Sequence, residues 1–303
     1  MKTRVPLIIM FGLAGVAGLS GQAEIFGYFE TETDGARISG TDYSFGYNKL
    51  RVDLQAYPSD AVTVGANVNF RRYHGKTEWN VLDFLPEDLW KPFFGDTAIF
   101  ISLTDTLYLD NVFLKARFKH FDLTVGKQQI SLGTGYAWNP TDIFNIKDLM
   151  DPTYEQTGIT AMRAEVPLGD RVGLDLILAP EESWETSAKM VQAKAGLGSF
   201  DFTGTYAEHT GQYPYWRLKT YAPGDTLLNY RKLGGSFVGQ IWEIGLWGEG
   251  LWHVGDSPGN MKFTEFLFGI DHTFDFQTYV MLEYFHNSAG ADTSNLTFFD
   301  YGQ

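Results

Sequence analysis

The sequence predicts an all-β fold: a transmembrane, antiparallel, up-and-down β-barrel of about 14 strands. Three observations predict it. Six pairs of segments with alternating apolar and polar residues meet at turns of a few residues, while the connections between pairs are long; membrane barrels keep short turns on one side of the bilayer and long loops on the other. The N-terminus has the pattern of an export leader. No later segment has the ~20 consecutive apolar residues that a membrane helix needs.

The clearest pair joins Phe45 to Tyr57 with Val62 to Arg71 through Pro58-Ser59-Asp60. In its first member Leu50, Val52, Leu54 and Ala56 share one face, and Lys49, Arg51, Asp53 and Gln55 the other, which is the period of a strand. A strand from Ile25 to Thr33 precedes this pair. Thr106 to Phe118 and Asp122 to Gly133 turn at Lys119-His120-Phe121, and Gln156 to Leu168 and Val172 to Ala179 at Gly169-Asp170-Arg171. Ala188 to Leu197 and Asp201 to His209 turn at Gly198-Ser199-Phe200, and Arg231 to Ile241 meets Gly245 to Val254 around Trp242-Glu243. Lys262 to Phe274 and Gln277 to Asn287 form the last hairpin, and Leu296 to Gln303 begins a further strand. The long connections are Asp34 to Asp42, His74 to Asp105, Thr134 to Glu155, Thr210 to Asn229, Gly255 to Met261 and Ser288 to Asn295, with a shorter one at Glu181 to Ser187.

Lys2 and Arg4 precede an uncharged run from Val5 to Leu19, and Gly21-Gln22-Ala23 supplies small residues for cleavage. Residues 1–23 are therefore expected to be a removed signal peptide, with one barrel domain over 24–303. The run is short for a retained anchor. The N-terminus and short turns then lie in the periplasm and the long loops outside the cell.

Composition narrows the class. Aromatics make up 16% of the chain and Gly 33 of its 303 residues, a mixture suited to interface girdles and curved strands. With no Cys there are no disulfides, so stability must come from sheet closure or a large core. The net charge of -14 argues against a nucleic-acid partner. Outer-membrane lipid is the expected environment.

Alternation places Lys49, Arg51, Asp53, Arg71, Lys115, Arg117, Arg163, Glu165, Asp175, Glu249, Glu265, Asp271 and Glu283 on the candidate lumen face. The basic residues come early and most of the acidic ones late. A closed sheet would set them opposite each other with a field able to orient dipolar solutes. The alternative is that they pair with strand neighbours and keep the interior wet. The outward face is apolar: Val172, Leu174, Leu176 and Leu178 in one strand, Phe266, Phe268 and Ile270 in another. On a soluble protein such a surface would be an aggregation hazard.

The strongest local motif runs from Gly126-Lys127-Gln128 through Gly133 and Gly135 to Trp138-Asn139-Pro140-Thr141-Asp142. With a second patch at Gly158 to Val166 and a Leu176 to Pro180 ending, it resembles a group of uncharacterised porin-like outer-membrane β-barrel proteins of Gram-negative bacteria. In these a strand ends in G-[RK]-Q-x4-G-x-G before W-N-P-T-D. The resemblance implies an outer-membrane location, insertion by the barrel assembly machinery, a transport or channel role and homo-oligomer formation. Such barrels end on a terminal aromatic, whereas this chain ends at Tyr301-Gly302-Gln303, so truncation at the C-terminus is expected.

Physically the motif reads as a loop anchor or constriction built on Trp138, Asn139, Pro140 and Asp142. Asn139 would cap a short helix opened by Pro140, and Asp142 would accept backbone N–H groups. Gly133 and Gly135 would leave the strand with positive φ, and a bulge is expected near Gly126, where Lys127 falls on the apolar face. The aromatic-rich connection from His74 to Asp105 should pack against the barrel mouth or a ligand.

Catalysis is not signalled. The six His form no H-x-x-x-H pair, no G-x-S-x-G elbow occurs, and nothing calls for a metal or cofactor. The expectation is a channel passing small polar solutes through a charged lumen. The alternatives are a plugged barrel for surface binding or envelope assembly and, third, a membrane-embedded hydrolase using Ser236 or Ser288 with His286.

Overall fold

The structure is a computed structural model that describes residues 7–14, 22–38, 40–84, 87, 91–92, 95–145, 156–212, 227–255 and 262–288. Its strands are β1 (Leu7–Ala14), β2 (Gln22–Ile38), β3 (Thr41–Ser59), β4 (Val62–Gly75), β5 (Glu78–Asn80), β6 (Phe100–Ser102), β7 (Thr106–Arg117) and β8 (Asp122–Gln128). They continue as β9 (Ile159–Gly169), β10 (Val172–Ala179), β11 (Ala188–Leu197), β12 (Phe200–Gln212), β13 (Leu227–Ile241), β14 (Ile244–Gly255), β15 (Lys262–Thr273) and β16 (Tyr279–Asn287). Fourteen of them form one sheet in chain order, β4 lying next to β7, while β5 and β6 pair separately within the connection between those two. The fold class is the expected one: antiparallel β-structure in the up-and-down order of a barrel wall. No described helix is long and apolar enough to cross a membrane, and strands are what carry the chain.

Two compact units divide the chain. One holds β1 to β6 and β7 as far as Phe113; the other runs from Leu114 through β16. In each unit the strand faces have exchanged the roles they have in a soluble protein. In β3 and β4 Lys49, Asp53, Asn67 and Asn69 are buried, and Leu50, Val52, Leu54, Val68 and Phe70 are exposed. In β10 to β12 Asp175, Gln192 and Thr205 are buried, and Leu176, Val191, Phe202 and Tyr206 are exposed. Asp175 is 2% exposed beside Leu176 at 40%.

Several elements add to the sequence reading or differ from it. Leu7–Ala14 is extended and pairs with β2, from Leu7↔Thr31 to Ala14↔Glu24; an apolar run that suits a leader also suits a strand edge. The expected strand at Leu296 to Gln303 lies outside the described residues. The expected long connection at Asp34 to Asp42 is instead a tight hairpin, laddered as far as Ile38↔Thr41, with Gly40 at φ 83°. β2 and β3 thus reach 17 and 19 residues, beyond the ~9–11 that span a bilayer. β8 ends at Gln128, short of Gly133.

The bulge expected at Gly126 is absent. The β8–β9 register runs unbroken from Asp122↔Glu165 to Gln128↔Ile159, although Gly126 has φ 118°. Lys127 simply faces outward near the strand end, where a long stem can carry its charge toward water. A face shift occurs instead in β7. Leu107 and Leu109 are exposed, Asp110 and Asn111 are both buried, and exposure resumes at Val112 and Leu114. The backbone N–H groups of Asp110 and Asn111 both donate to Asn67 Oδ1, at 3.1 and 2.9 Å. In the β4–β7 connection Trp79 is buried edge-on against Tyr43 and Phe45 as expected, whereas Phe84 is exposed, and Trp90, Phe93 and Phe94 lie outside the described residues.

Candidate functional site

The motif between β8 and β9 builds the most developed site. After Gln128 the chain leaves the sheet, and Gly133 turns it at φ 78°. A Cβ there would collide with Asn139 Oδ1 and Glu249 Oε1. Gly135 does not have the positive φ expected for it; its lack of a side chain lets the Trp138 carbonyl approach closely. Asn139 to Asp142 forms a β-turn, closed by Asp142 N–H donating to the Asn139 carbonyl at 3.1 Å. The expected short helix is not formed, because Pro fits the second position of this turn as well as it fits a first helical turn. Asn139 Nδ2 donates to the Leu132 carbonyl. Asp142 acts as the hub: its carboxylate accepts from the N–H groups of Leu132, Phe144 and Asn145 and from the Asn145 side chain. Burial raises the Asp142 pKa above its ordinary value, against the opposing pull of these hydrogen bonds.

Two carboxylates from distant strands hold this loop. Glu249 lies mid-way along β14 and is 5% exposed. Its Oε1 accepts from Thr134 N–H, from Gly135 N–H at 2.7 Å and from the Thr134 hydroxyl at 3.2 Å. Its Oε2 accepts from Thr141 N–H at 3.0 Å and the Thr141 hydroxyl at 2.8 Å. Glu283, at the middle of β16, accepts from Tyr136 N–H at 2.6 Å and Ala137 N–H at 2.7 Å. Trp247 Nε1 adds a third bond to Glu283 at 2.8 Å. Its indole lies across Gly269, the register partner of both Trp247 and Glu283, where any Cβ would collide with the ring. Trp138 stacks on Phe285, with ring centroids 5.4 Å apart and planes 5° from parallel.

The loop's other side is apolar. Ile130 and Leu132 are buried with Ala161, Ile177, Met190 and Ala207, one residue from each of β9 to β12, and Ile143 and Phe144 pack against the same cluster. Ile177 and Ala207 alternate with exposed outward residues, so they belong to the inward face. Within this unit the loop therefore touches the inward faces of β9–β12 and of β14–β16 together.

All thirteen residues expected to line the lumen fall on the polar face, where some are ion-paired with near neighbours and others are held by neutral groups. Arg51 pairs with Asp53 at 2.8 Å. Lys115 pairs with Asp122 at 3.1 Å and Glu165 at 3.2 Å, and Arg117 lies 3.9 Å from Asp122. Arg163 pairs with Asp175 and Glu165, and Lys194 lies 3.5 Å from Asp175. Lys49 donates to the Tyr28 hydroxyl and Arg71 sits over the Tyr47 ring. Glu265 meets His253 at 2.9 Å, and Asp271 accepts from the Tyr279 hydroxyl. From β7 to β11 the ion pairs join into a chain of alternating sign, the neighbour pairing weighed as the alternative, whereas Glu249 and Glu283 in the later strands are held by backbone N–H groups.

Among the described residues no hydrogen bond joins Ser236 or Ser288 to His286. Ser288 Oγ accepts from Thr264 N–H at 2.8 Å, and the His286 ring packs on Phe266. Ser236 is buried on the inward face and His286 is exposed on the other.

Sequence reasoning placed Glu249 and Glu283 on the lumen face but missed their hold on the loop, because 108 to 147 residues separate the partners. One signal was present: Ala161, Ile177, Met190 and Ala207 interrupt an otherwise polar face on four consecutive strands.

No family model and no curated protein matches the chain. Among solved structures it is similar to the loop L8 deletion mutant of OmpT, an outer membrane protein of Vibrio cholerae. The identity is 11%, covering 89% of this chain and 94% of that one, at a TM-score of 0.36. It is also similar to Pseudomonas aeruginosa OccK7, with 11% identity over 94% of this chain and 81% of that one, again at a TM-score of 0.36. At these TM-scores neither likeness bears on what the chain does.

Proposed function

We propose that the chain is an outer-membrane β-barrel that passes small polar solutes through a wet, charge-paired interior narrowed by the loop over residues 129–145. One observation carries this reading. Alternation buries the charged and amide side chains of each strand and exposes its aliphatic and aromatic ones, an arrangement stable only where lipid meets the outer face and water the inner. The loop narrows the route because Glu249 and Glu283 hold it at the mid-length of their strands. With short turns periplasmic and long loops outside, solutes enter past this loop. The porin-like motif supports the same reading through resemblance.

Reconstitution into planar bilayers tests it. The folded, heat-modifiable protein should conduct ohmically, and Glu249→Ala combined with Glu283→Ala should raise unit conductance by freeing the loop. A folded barrel that stays non-conducting in both forms would refute the channel and favour a plugged barrel acting in surface binding or assembly.

A further inference from the structure

The outward face of β8 to β12 contains a groove of about 390 Å³. Its floor is aliphatic, made by Leu123, Met162, Leu176, Leu178 and Val191. Its rim is not: Trp184 from the β10–β11 connection stands over it, and Lys189 lies beneath that ring with Nζ 4.6 Å from the centroid. Register aligns Leu178, Lys189, Glu208 and Arg231 in one row across four strands. Glu208 and Tyr206 also line the groove, and Glu208 is matched by Arg231 at 3.6 Å and by the Tyr206 hydroxyl. Lys189 has no carboxylate partner among the described residues.

We propose that this groove is a binding site for one anionic lipid, an acyl chain lying on the aliphatic floor and the headgroup phosphate paired with Lys189 beneath Trp184. The inference rests on the membrane-spanning reading of the chain. The occupant follows from charge and position. An aliphatic channel on a lipid-facing wall excludes a water-soluble ligand from its floor, and an ammonium at its rim calls for an anion. The rim is at the loop-bearing end of the strands, where headgroups lie. Trp and Lys together at that level are the side chains that meet an interface with an apolar body and a polar tip.

Native mass spectrometry of the protein released from nanodiscs tests the site, with phosphatidylglycerol, phosphatidylcholine and inorganic phosphate as probes. Wild type should retain one phosphatidylglycerol in preference to phosphatidylcholine and should retain no inorganic phosphate. Lys189→Gln should weaken that retention about fivefold, the value of one basic side chain at a charged membrane surface. Val191→Trp, which fills the floor and keeps the charge, should abolish it. Heat-modifiability of each variant separates the two readings. A protein that never forms a heat-modifiable species refutes the membrane reading, whereas folded variants that retain phosphatidylglycerol as wild type does refute the site alone. Retention of inorganic phosphate without lipid would overturn the lipid assignment, and a stoichiometric oligomer broken by Val191→Trp would give the groove to a second copy of the chain.

Discussion

Glu249 accepts hydrogen bonds from residues at both ends of the segment from Thr134 to Thr141, so a single carboxylate fixes the span of the turn. Charge-assisted bonds of this kind contribute about 1.5–3 kcal/mol each, and a loop held by two carboxylates and an apolar cluster has few ways to leave. Asp142 adds a proton-linked element. Its carboxyl titrates above the ordinary Asp value because burial penalises the charged form, and in a released loop it would return to that ordinary value. Between these two values the attached loop binds more protons than the released one. Asp142's contribution to attachment is therefore greatest below the ordinary value and falls as pH rises through the raised one. The chain has no Cys, which allows a clean reporter: an environment-sensitive fluorophore on Tyr136→Cys. Its spectrum should shift toward that of the released loop as pH rises from the ordinary Asp value through the raised one, and Asp142→Asn should flatten the part of the profile due to this group. An identical profile in both proteins would mean that Asp142 is not linked to attachment.

At the scale of elements, the strand pattern was legible because alternation is a local property. The six short-turn hairpins and the inward position of every candidate lumen residue follow from the period of two. What was not legible depended on distant partners. No local feature of Asp110-Asn111 announces that both N–H groups will be taken by Asn67, 43 and 44 residues away. That bond lets β7 absorb one extra buried residue and return its apolar side chains to the outer face. The helix expected at Pro140 failed for a related reason: a local rule left two outcomes open, and Glu249 and Asp142 decide between them. Asn67 and its neighbour two residues on make a direct comparison. Asn67→Ala would strand two buried donors at about 1–3 kcal/mol each, and the urea midpoint of the heat-modifiable species should fall accordingly. Asn69, equally buried, has neither amide atom bonded to another described group, so Asn69→Ala should cost less. Equal losses would show that Asn67 acts by filling space and not through its carbonyl.

Over the whole molecule, the exposed apolar face of these strands meets either lipid or water, and the two solvents predict opposite responses to the same charge. Leu176 and Gln192 lie in adjacent strands, Gln192 being the register partner of Asp175. Leu176 is exposed and Gln192 is 3% exposed. With water on the exposed face an arginine at Leu176 would be harmless, and one at buried Gln192 would be severe. In a barrel the order reverses. Leu176→Arg places a guanidinium against hydrocarbon at a cost of about 2–4 kcal/mol near the bilayer midplane. Gln192→Arg places the same group beside Asp175 in a polar interior, where it can join the charge chain already formed by Arg163 and Lys194. The expected outcome is a lower folded fraction for Leu176→Arg in lipid vesicles. Gln192→Arg should keep heat-modifiability and shift the reversal potential toward anion preference. If Gln192→Arg unfolds the protein while Leu176→Arg is tolerated, the apolar face is not lipid-facing, and the channel and the lipid groove fall with it.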